Sequence, residues 1–387
     1  MTKPSQISAG STLGMIAGGQ IGGFFSEAAL RMGYKVAVWD PDINAPAKRF
    51  ASEPFTGEFD DKRIFNAFKE IVSGVSVEWE NVPNSLIKEL EKTVIVKPGS
   101  KSLTLAQDRI KEKSFLTSNG FPLTEYVAIQ RIDEINGVPF DFPWIIKTAT
   151  LGYDGHGQWY IKDMTDITGN STLQDSKVPM VVEKVVDYQI EVSVVVAMDD
   201  DGEVIAYPPT ENLHKGGILK MSISPARIPD EIQSRVIELG CSIIRSIGDP
   251  GVFCIEMFLE KNGNLLINEI APRPHNSGHH TIDAFSVSQY ENQVRVLTGL
   301  PLREPIMLCE SVLLNVLGHE YDALMNNSAI NQILSSLNAK IYSYGKTSIR
   351  PGRKMGHIVF CGASLDELIR QAESCQDIMD GNLSSVW

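Results

Sequence analysis

Short apolar or alternating runs at Ser11–Ala17, Lys35–Trp39, Val75–Trp79 and Thr93–Val96 predict strands, and helical spacing of apolar residues over Phe24–Met32, Asp60–Ser73 and Ser85–Glu91 predicts helices between them. The first strand runs into the glycine loop Gly18–Gly23, and the first helix stops at Gly33 before a second strand that ends at Asp40. This is a βαβ beginning, and it opens an α/β domain extending to about residue 100. Leu105–Asn119 reads as one basic amphipathic helix bearing Asp108, Arg109, Lys111 and Lys113, and Gly120-Phe121-Pro122 marks a boundary after it.

Beyond that boundary the pattern turns to strands. Phe142–Lys147 and Trp159–Lys162 flank the glycine-rich stretch Leu151–Gln158. Val178–Val182 ends at Glu183, the connector Lys184-Val185-Val186 follows, and the β-branched strand Ile190–Ala197 carries Glu191. Asp200-Asp201-Gly202 turns into Glu203–Tyr207, Glu211–Gly217 reads as an irregular polar loop, and Asp230–Ile247 as a helix. Val252–Leu259 and Leu265–Ile270 then form a hairpin about Asn262-Gly263, the dipeptide of a tight two-residue turn. With Lys261 opposite Asn264, the count outward sets Glu256 opposite Glu269, on a face shared with Cys254, Phe258, Leu265 and Ile267. After Gly299-Leu300-Pro301, strands at Ser311–Leu317, Lys340–Ser343 and His357–Cys361 make a last α/β segment.

Composition narrows the class. The 387 residues suggest two to four domains, and 43% hydrophobic with 21% charged residues is the profile of an ordinary globular protein. A net charge of −13 disfavours nucleic acid or an anionic membrane as the main partner. No run approaches the roughly 18 apolar residues of a membrane span. Five scattered cysteines without a CxxC pair read as thiols of a reducing compartment, so a cytoplasmic location is expected.

Like charges opposed on paired strands repel, and a divalent cation is the economical compensation at Glu256 and Glu269. Few hard oxygen ligands suit Mg²⁺, which completes its shell with water and phosphate. The alternative is a surface hairpin with both acids in water. Next come Arg273, His275 and Asn276 on a proline-fixed loop, suited to a small planar oxyanion such as a carboxylate or bicarbonate. A zinc pair on His275 and His279 is disfavoured, because Pro272, Pro274 and Gly278 oppose a helix. Lys147 with the glycine hairpin suits phosphates, the connector 184–186 between Glu183 and Glu191 suits an adenine edge and ribose, and the basic cluster at Lys346 and 353–357 suits a further phosphate. Each has a plain structural alternative in a solvated turn, an edge-strand lysine or a core strand. The N-terminal glycine loop and Asp40 fit a nicotinamide fingerprint, another phosphate, or a tight turn, with Ala17 where the first glycine would stand.

Several strings carry a resemblance: the GGQIGG loop, Glu80-Asn81-Val82, Gln107-Asp108-Arg109, the stretch from Gly152 to Gln158, Glu211-Asn212-x-His214, the run Asn268 to His279, and Tyr344-Gly345-Lys346 with Arg353 to His357. Over nearly its whole length the chain resembles the ATP-grasp superfamily and, more closely, the N5-carboxyaminoimidazole ribonucleotide synthetase family. The resemblance implies an α/β and α+β multidomain fold: a Rossmann-like pre-ATP-grasp domain (1–104), an ATP-grasp domain (105–300) with a lid at about 120–185, and a small C-terminal domain (301–387). It implies ATP with Mg²⁺ (or Mn²⁺) and no NAD, homodimers, and ATP-dependent carboxylation of 5-aminoimidazole ribonucleotide by bicarbonate through carboxyphosphate. ATP would meet Arg109, Lys147, Gly152, Tyr153, Gly155, Gly157, Gln158, Glu183, Lys184, Val185, Val186, Glu191, His214 and Asn268, with the metal on Glu256 and Glu269. Bicarbonate would sit near Arg273, His275 and Asn276. The ribonucleotide would meet Tyr153 and Asp154 at its amine, and Lys346 and Arg353 at its phosphate, with Gly19 and Gln20 nearby. Asp154, Arg273, His275 and Asn276 are the expected catalytic set. The chain departs from the pattern at Ala17, at Ala149-Thr150-Leu151 and at His156. The alternatives are a formate-dependent glycinamide ribonucleotide transformylase, a nicotinamide-binding protein and a non-catalytic ATP-binding regulator.

Overall fold

A computed structural model describes residues 6–152, 157–335 and 338–380. The first unit is a parallel sheet of order β3-β2-β1-β4-β5, built from β1 (Thr12–Ile16), β2 (Lys35–Asp40), β3 (Glu53–Thr56), β4 (Val72–Val77) and β5 (Ile95–Val96). Its first helix begins at Gln20, inside the expected glycine loop, because Gly19 in extended backbone serves as the N-cap. A Cβ at Gly19 would lie 2.1 Å from a Glu78 carboxylate oxygen, so only glycine admits this approach.

The second unit is a four-stranded antiparallel sheet, β6 (Tyr126–Ile129), β7 (Trp144–Thr148), β8 (Gln158–Ile161) and β9 (Met180–Lys184), in the order β6-β9-β7-β8. The third is a large antiparallel sheet. It comprises β10 (Tyr188–Met198), β11 (Val204–Ala206), β12 (Thr210–Lys215), β13 (Ile218–Ser224), β14 (Gly251–Glu260), β15 (Leu265–Ala271), β16 (Glu310–Leu317), β17 (Ala339–Ser343) and β18 (Lys354–Gly362). Its order is β15-β14-β10-β12-β13-β16-β18-β17, so the C-terminal strands continue the central sheet through β13.

One face of β10, β14 and β15 buries Val192, Val194, Val196, Phe253, Ile255 and Met257 against the helix Asp230–Ile247, which has the predicted bounds. Period-two alternation sends Glu191, Ser193, Glu256 and Phe258 to the other face. There the first and second units border a cleft.

Two expectations are corrected here. Residues 211–217 are not an irregular loop: 210–215 form β12, which pairs with β10 over 210–212 and with β13 over 211–215, and which sends His214 to the cleft while Glu211 turns to the other face and holds Arg227. Leu105–Asn119 is not one helix but two, Ser100–Ala106 and Arg109–Ser118, because Asp108 leaves helical geometry to accept the Ile110 and Lys111 amides as an N-cap.

Candidate active site

The hairpin that orients the site differs in detail from the two-residue turn expected. Glu260 bonds to Asn264 across the three-residue loop Lys261–Gly263, with Gly263 at φ +85°. This moves the register by one, so Leu259 faces Leu265 and Met257 faces Ile267. A bulge at Asn268 moves it back, and Glu256 stands opposite Glu269 as expected. The bulge has two consequences. Leu265 and Ile267 turn to the helix side and join the core, not the glutamate face. Asn268 and Glu269, adjacent in sequence, both line the cleft.

That cleft, of about 1420 Å³, gathers residues from all three units. Arg109, Lys147, Gly157, Gln158, Glu183, Lys184, Val185, Val186, Glu191, His214 and Asn268 line it, as do Glu256, Glu269, Arg273, His275, Asn276, Gly19, Gln20, Lys346 and Arg353. Gly152 is described but does not line it; Tyr153, Asp154, Gly155 and His156 lie outside the described residues.

Charges on its floor are paired in a chain. Lys147 Nζ lies 2.9 Å from Glu183 and donates to Asn268 Oδ1 at 3.2 Å, while Lys113 Nζ lies 3.1 Å from the other Glu183 oxygen. Burial pushes the Glu183 carboxyl up, but Lys147 and Lys113 outweigh it and hold it at about 2. Burial lowers Lys147, with Glu183 opposing. Glu183 therefore anchors Lys147, and its carboxylate is already engaged before any ribose arrives. Arg109 Nη1 donates to Glu269 at 3.0 Å. Gln107, two residues earlier, donates to the carbonyls of Glu80 and Val82 and so ties the first unit to this corner.

Toward the anion loop, Arg273 spreads its guanidinium over Glu80, with Nη2 at 3.1 Å from Oε1, and also donates to the Pro274 carbonyl. The expected oxyanion fork thus has a carboxylate partner. His275 Nε2 lies 3.1 Å from Glu256, and Gln20 donates to Asn276 Oδ1 at 3.2 Å. Burial, with Arg273 and Lys354 nearby, holds His275 well below the usual imidazole range. Burial raises Glu256 to about 6, with His214 opposing and Glu269 adding to the rise. Glu191 is held by His214 Nδ1 at 2.6 Å and by the Tyr188 hydroxyl at 2.5 Å. Lys346 donates to the Lys354 carbonyl, and Arg353 to the Ser348 carbonyl, each at 2.8 Å.

Several groups escaped the sequence reading. Glu112, buried, accepts the Ile270 amide at 2.6 Å, and burial raises it to about 7, with Glu269 adding. Glu78, at the N-terminus of the first helix, is raised by burial to about 7, with Lys346 opposing. Gln289 clamps the loop by accepting the His275 amide and donating to the His275 carbonyl. A lone acid or amide on an amphipathic helix gives no sequence signal for such a role. Asp40, on which a nicotinamide reading depends, accepts the amides of Gly18 and Asp42.

Glu256 and Glu269 supply two opposed carboxylates, and among the described residues no group of three or more His, Cys, Asp or Glu forms a metal cluster. Two hard oxygen ligands, each also within reach of a cationic or imidazole side chain of the cleft, would suit a cation carried on phosphates and not one held in a protein cage.

Comparison with known proteins follows the same three parts. The ribonucleotide synthetase preATP-grasp domain matches residues 11–107, the ATP-grasp domain 114–290, and the phosphoribosylaminoimidazole carboxylase C-terminal domain 311–371. The N5-carboxyaminoimidazole ribonucleotide synthase of Bacillus subtilis is 34% identical over 94% of this chain and 94% of its own. An ADP complex of an N5-carboxyaminoimidazole ribonucleotide synthetase superposes with a TM-score of 0.92 at 33% identity, covering 99% of this chain and 100% of that one. An Aspergillus clavatus N5-carboxyaminoimidazole synthase in complex with ADP and 5-aminoimidazole ribonucleotide gives 0.88 at 28% identity, with 96% and 99% covered. With its three parts matched and nearly its whole length covered by relatives of about one-third identity, this chain belongs to the N5-carboxyaminoimidazole ribonucleotide synthase family of ATP-grasp ligases.

Proposed function

We propose that this chain joins bicarbonate to the exocyclic amine of 5-aminoimidazole ribonucleotide at the expense of ATP, giving N5-carboxyaminoimidazole ribonucleotide, ADP and phosphate in purine biosynthesis. The observation that carries the reading is the bulged hairpin, which turns Glu256, Asn268 and Glu269 into one cleft beside the Arg273–Asn276 loop. Nucleotide and oxyanion sites then adjoin. The Lys184–Val186 backbone and Glu191 hold adenine and ribose, and Lys147, Arg109 and the glycine hairpin neutralise phosphate charge. A bicarbonate oxygen attacks the γ-phosphorus and ADP leaves, forming carboxyphosphate. Its C–O bond then breaks to release CO₂ and phosphate, and the ribonucleotide amine attacks the CO₂ carbon and loses one proton. Arg273, His275 and Asn276 orient the bicarbonate, Lys346 and Arg353 hold the ribonucleotide phosphate with Gly19 and Gln20 beside it, and Tyr153 and Asp154 meet the amine. Mg²⁺ held by Glu256 and Glu269 would offset charge between the phosphate oxygens. A homodimer in the cytoplasm belongs to the same proposal, on the family resemblance and the five free cysteines.

The test is phosphate release from Mg-ATP with ribonucleotide and bicarbonate each omitted in turn. Release that needs the ribonucleotide and yields an acid-labile carboxylated product is expected. Turnover only with formate and glycinamide ribonucleotide would overturn the substrate assignment.

A further inference from the structure

His275 has a buried polar chain behind it to which the proposed reaction assigns nothing. Its Nδ1 lies 2.8 Å from Ser277 Oγ, and Ser277 Oγ lies 2.8 Å from Ser193 Oγ on β10. Asn212 on β12 donates its amide to Ser193 Oγ at 2.8 Å, and Ser222 on β13 donates to Asn212 Oδ1 at 2.9 Å. All four residues are at most 5% exposed, apart from Asn212 none exceeds 1%, and they span three neighbouring strands and the anion loop.

One contact fixes the direction. The Ser277 backbone N–H also points at His275 Nδ1, at 3.3 Å, and a backbone amide can only donate. A proton on Nδ1 would face that N–H head on, so Nδ1 presents its lone pair. The hydroxyls agree with this. Ser193 Oγ accepts from Asn212, which leaves its proton for Ser277 Oγ, and Ser277 is left to donate to Nδ1. Reversing the imidazole would set an N–H against the Ser277 amide and leave a serine proton only the weakly accepting Cys254 sulfur, which neighbours both serines. The other ring nitrogen, Nε2, faces the cleft 3.1 Å from a Glu256 oxygen, where an N–H finds an acceptor. Gln289 fixes the His275 backbone on both sides, and a half-turn of the ring about Cβ–Cγ would put a carbon in place of Nδ1 and lose both Ser277 contacts.

We propose that Ser277, backed by Ser193 and Asn212, is a positioning residue that holds His275 protonated on Nε2, so that the imidazole acts on the bicarbonate-derived oxygens as a hydrogen-bond donor and not as a base. The inference rests on the proposed carboxylation for the identity of those oxygens, but the tautomer does not depend on it. The amine proton released on carboxylation then goes to another acceptor, for which the departing phosphate is available.

The experiment is a two-bond ¹H–¹⁵N correlation spectrum of the ligand-free full chain labelled with ¹⁵N-histidine, with His275 assigned by its loss in His275→Gln. The expected pattern is a bare Nδ1 and a protonated Nε2. A protonated Nδ1 in the unsubstituted protein would overturn the proposal. Ser277→Ala should mix the two tautomers and lower kcat by about 10- to 100-fold, the usual effect of losing an orienting partner, with the ATP KM within about twofold. An unchanged kcat would also overturn it. Absence of any carboxylation by the unsubstituted protein would instead sink the proposed function and leave the tautomer result standing.

Discussion

His275 and His279 stand four residues apart on one loop, the first partly exposed and the second fully buried, and they serve opposite kinds of region. His275 faces the cleft, where Glu256, Glu269, Arg109, Lys147, Glu183 and Arg273 form a chain of paired charges. His279 faces a box of rings in which Phe24 touches His279, Tyr290, Tyr342, Tyr344 and His357, with centroids 5.2 to 6.1 Å apart. In the box the Tyr290 hydroxyl bonds His279 Nδ1 and the Tyr344 hydroxyl bonds His357 Nδ1, so the imidazoles are neutral packing units. The box holds the first helix to β17 and β18 through Phe24 against Tyr342 and His357. Buried charge that is paired but accessible is suited to exchanging partners with a ligand; buried rings without net charge are suited to fixing a joint.

The comparison predicts that the cleft answers to activity and the box to stability. The largest effect is expected for Glu269→Ala, which should lower ribonucleotide-dependent phosphate release by about 10³-fold with little loss of folding stability. Retained turnover would remove Glu269 from the metal site. Phe24→Ala should lower unfolding stability by about 3 kcal/mol in urea titrations while leaving the ATP KM unchanged. A raised KM would mean that the two regions are not separable.

Titration sharpens the contrast further. Burial holds His280 and His357 at about 3 and His279 lower than the usual range, so each is neutral when folded and protonates near 6.5 when unfolded. The unfolded chain binds more protons below that point, so this stability is present above pH 6.5 and is lost as pH falls toward 3. Glu112 and Glu78 work the other way: raised to about 7, they favour the folded state below 4.5 and lose that contribution as pH rises through 7. His357→Asn should therefore flatten the acid side of the stability curve by up to about 1.4 kcal/mol per pH unit, and Glu112→Gln the neutral side. Urea midpoints from pH 4 to 8 check both, and a common direction for the two variants would refute the assignment.

The smallest effect is at the fingerprint departures. Ala17 and Leu151 are the non-glycine residues with positive φ among those described, at 66° and 61°. Ala17→Gly should raise stability by less than about 1 kcal/mol, since relief of strain is partly offset by the freer unfolded chain. Calorimetry would detect it, and a decrease would show that the buried Ala17 methyl matters more than the strain.

The chain alone determined the βαβ opening, the helix Asp230–Ile247 and the opposition of Glu256 to Glu269, because period, turn chemistry and strand alternation are local properties. Its motif strings also carried the family. Even so, the glutamate register came right through two offsetting features, a longer turn and a bulge, that no local count distinguishes from the simpler hairpin. Only the tertiary structure decided that Glu183 is spent on two lysines, that Arg273 already holds Glu80, that residues 210–215 are a strand, and that His275 and His279 part company. Those outcomes depend on which distant side chain shares a buried space, and burial sets the charge state and the partner of a polar group only after the chain has closed around it.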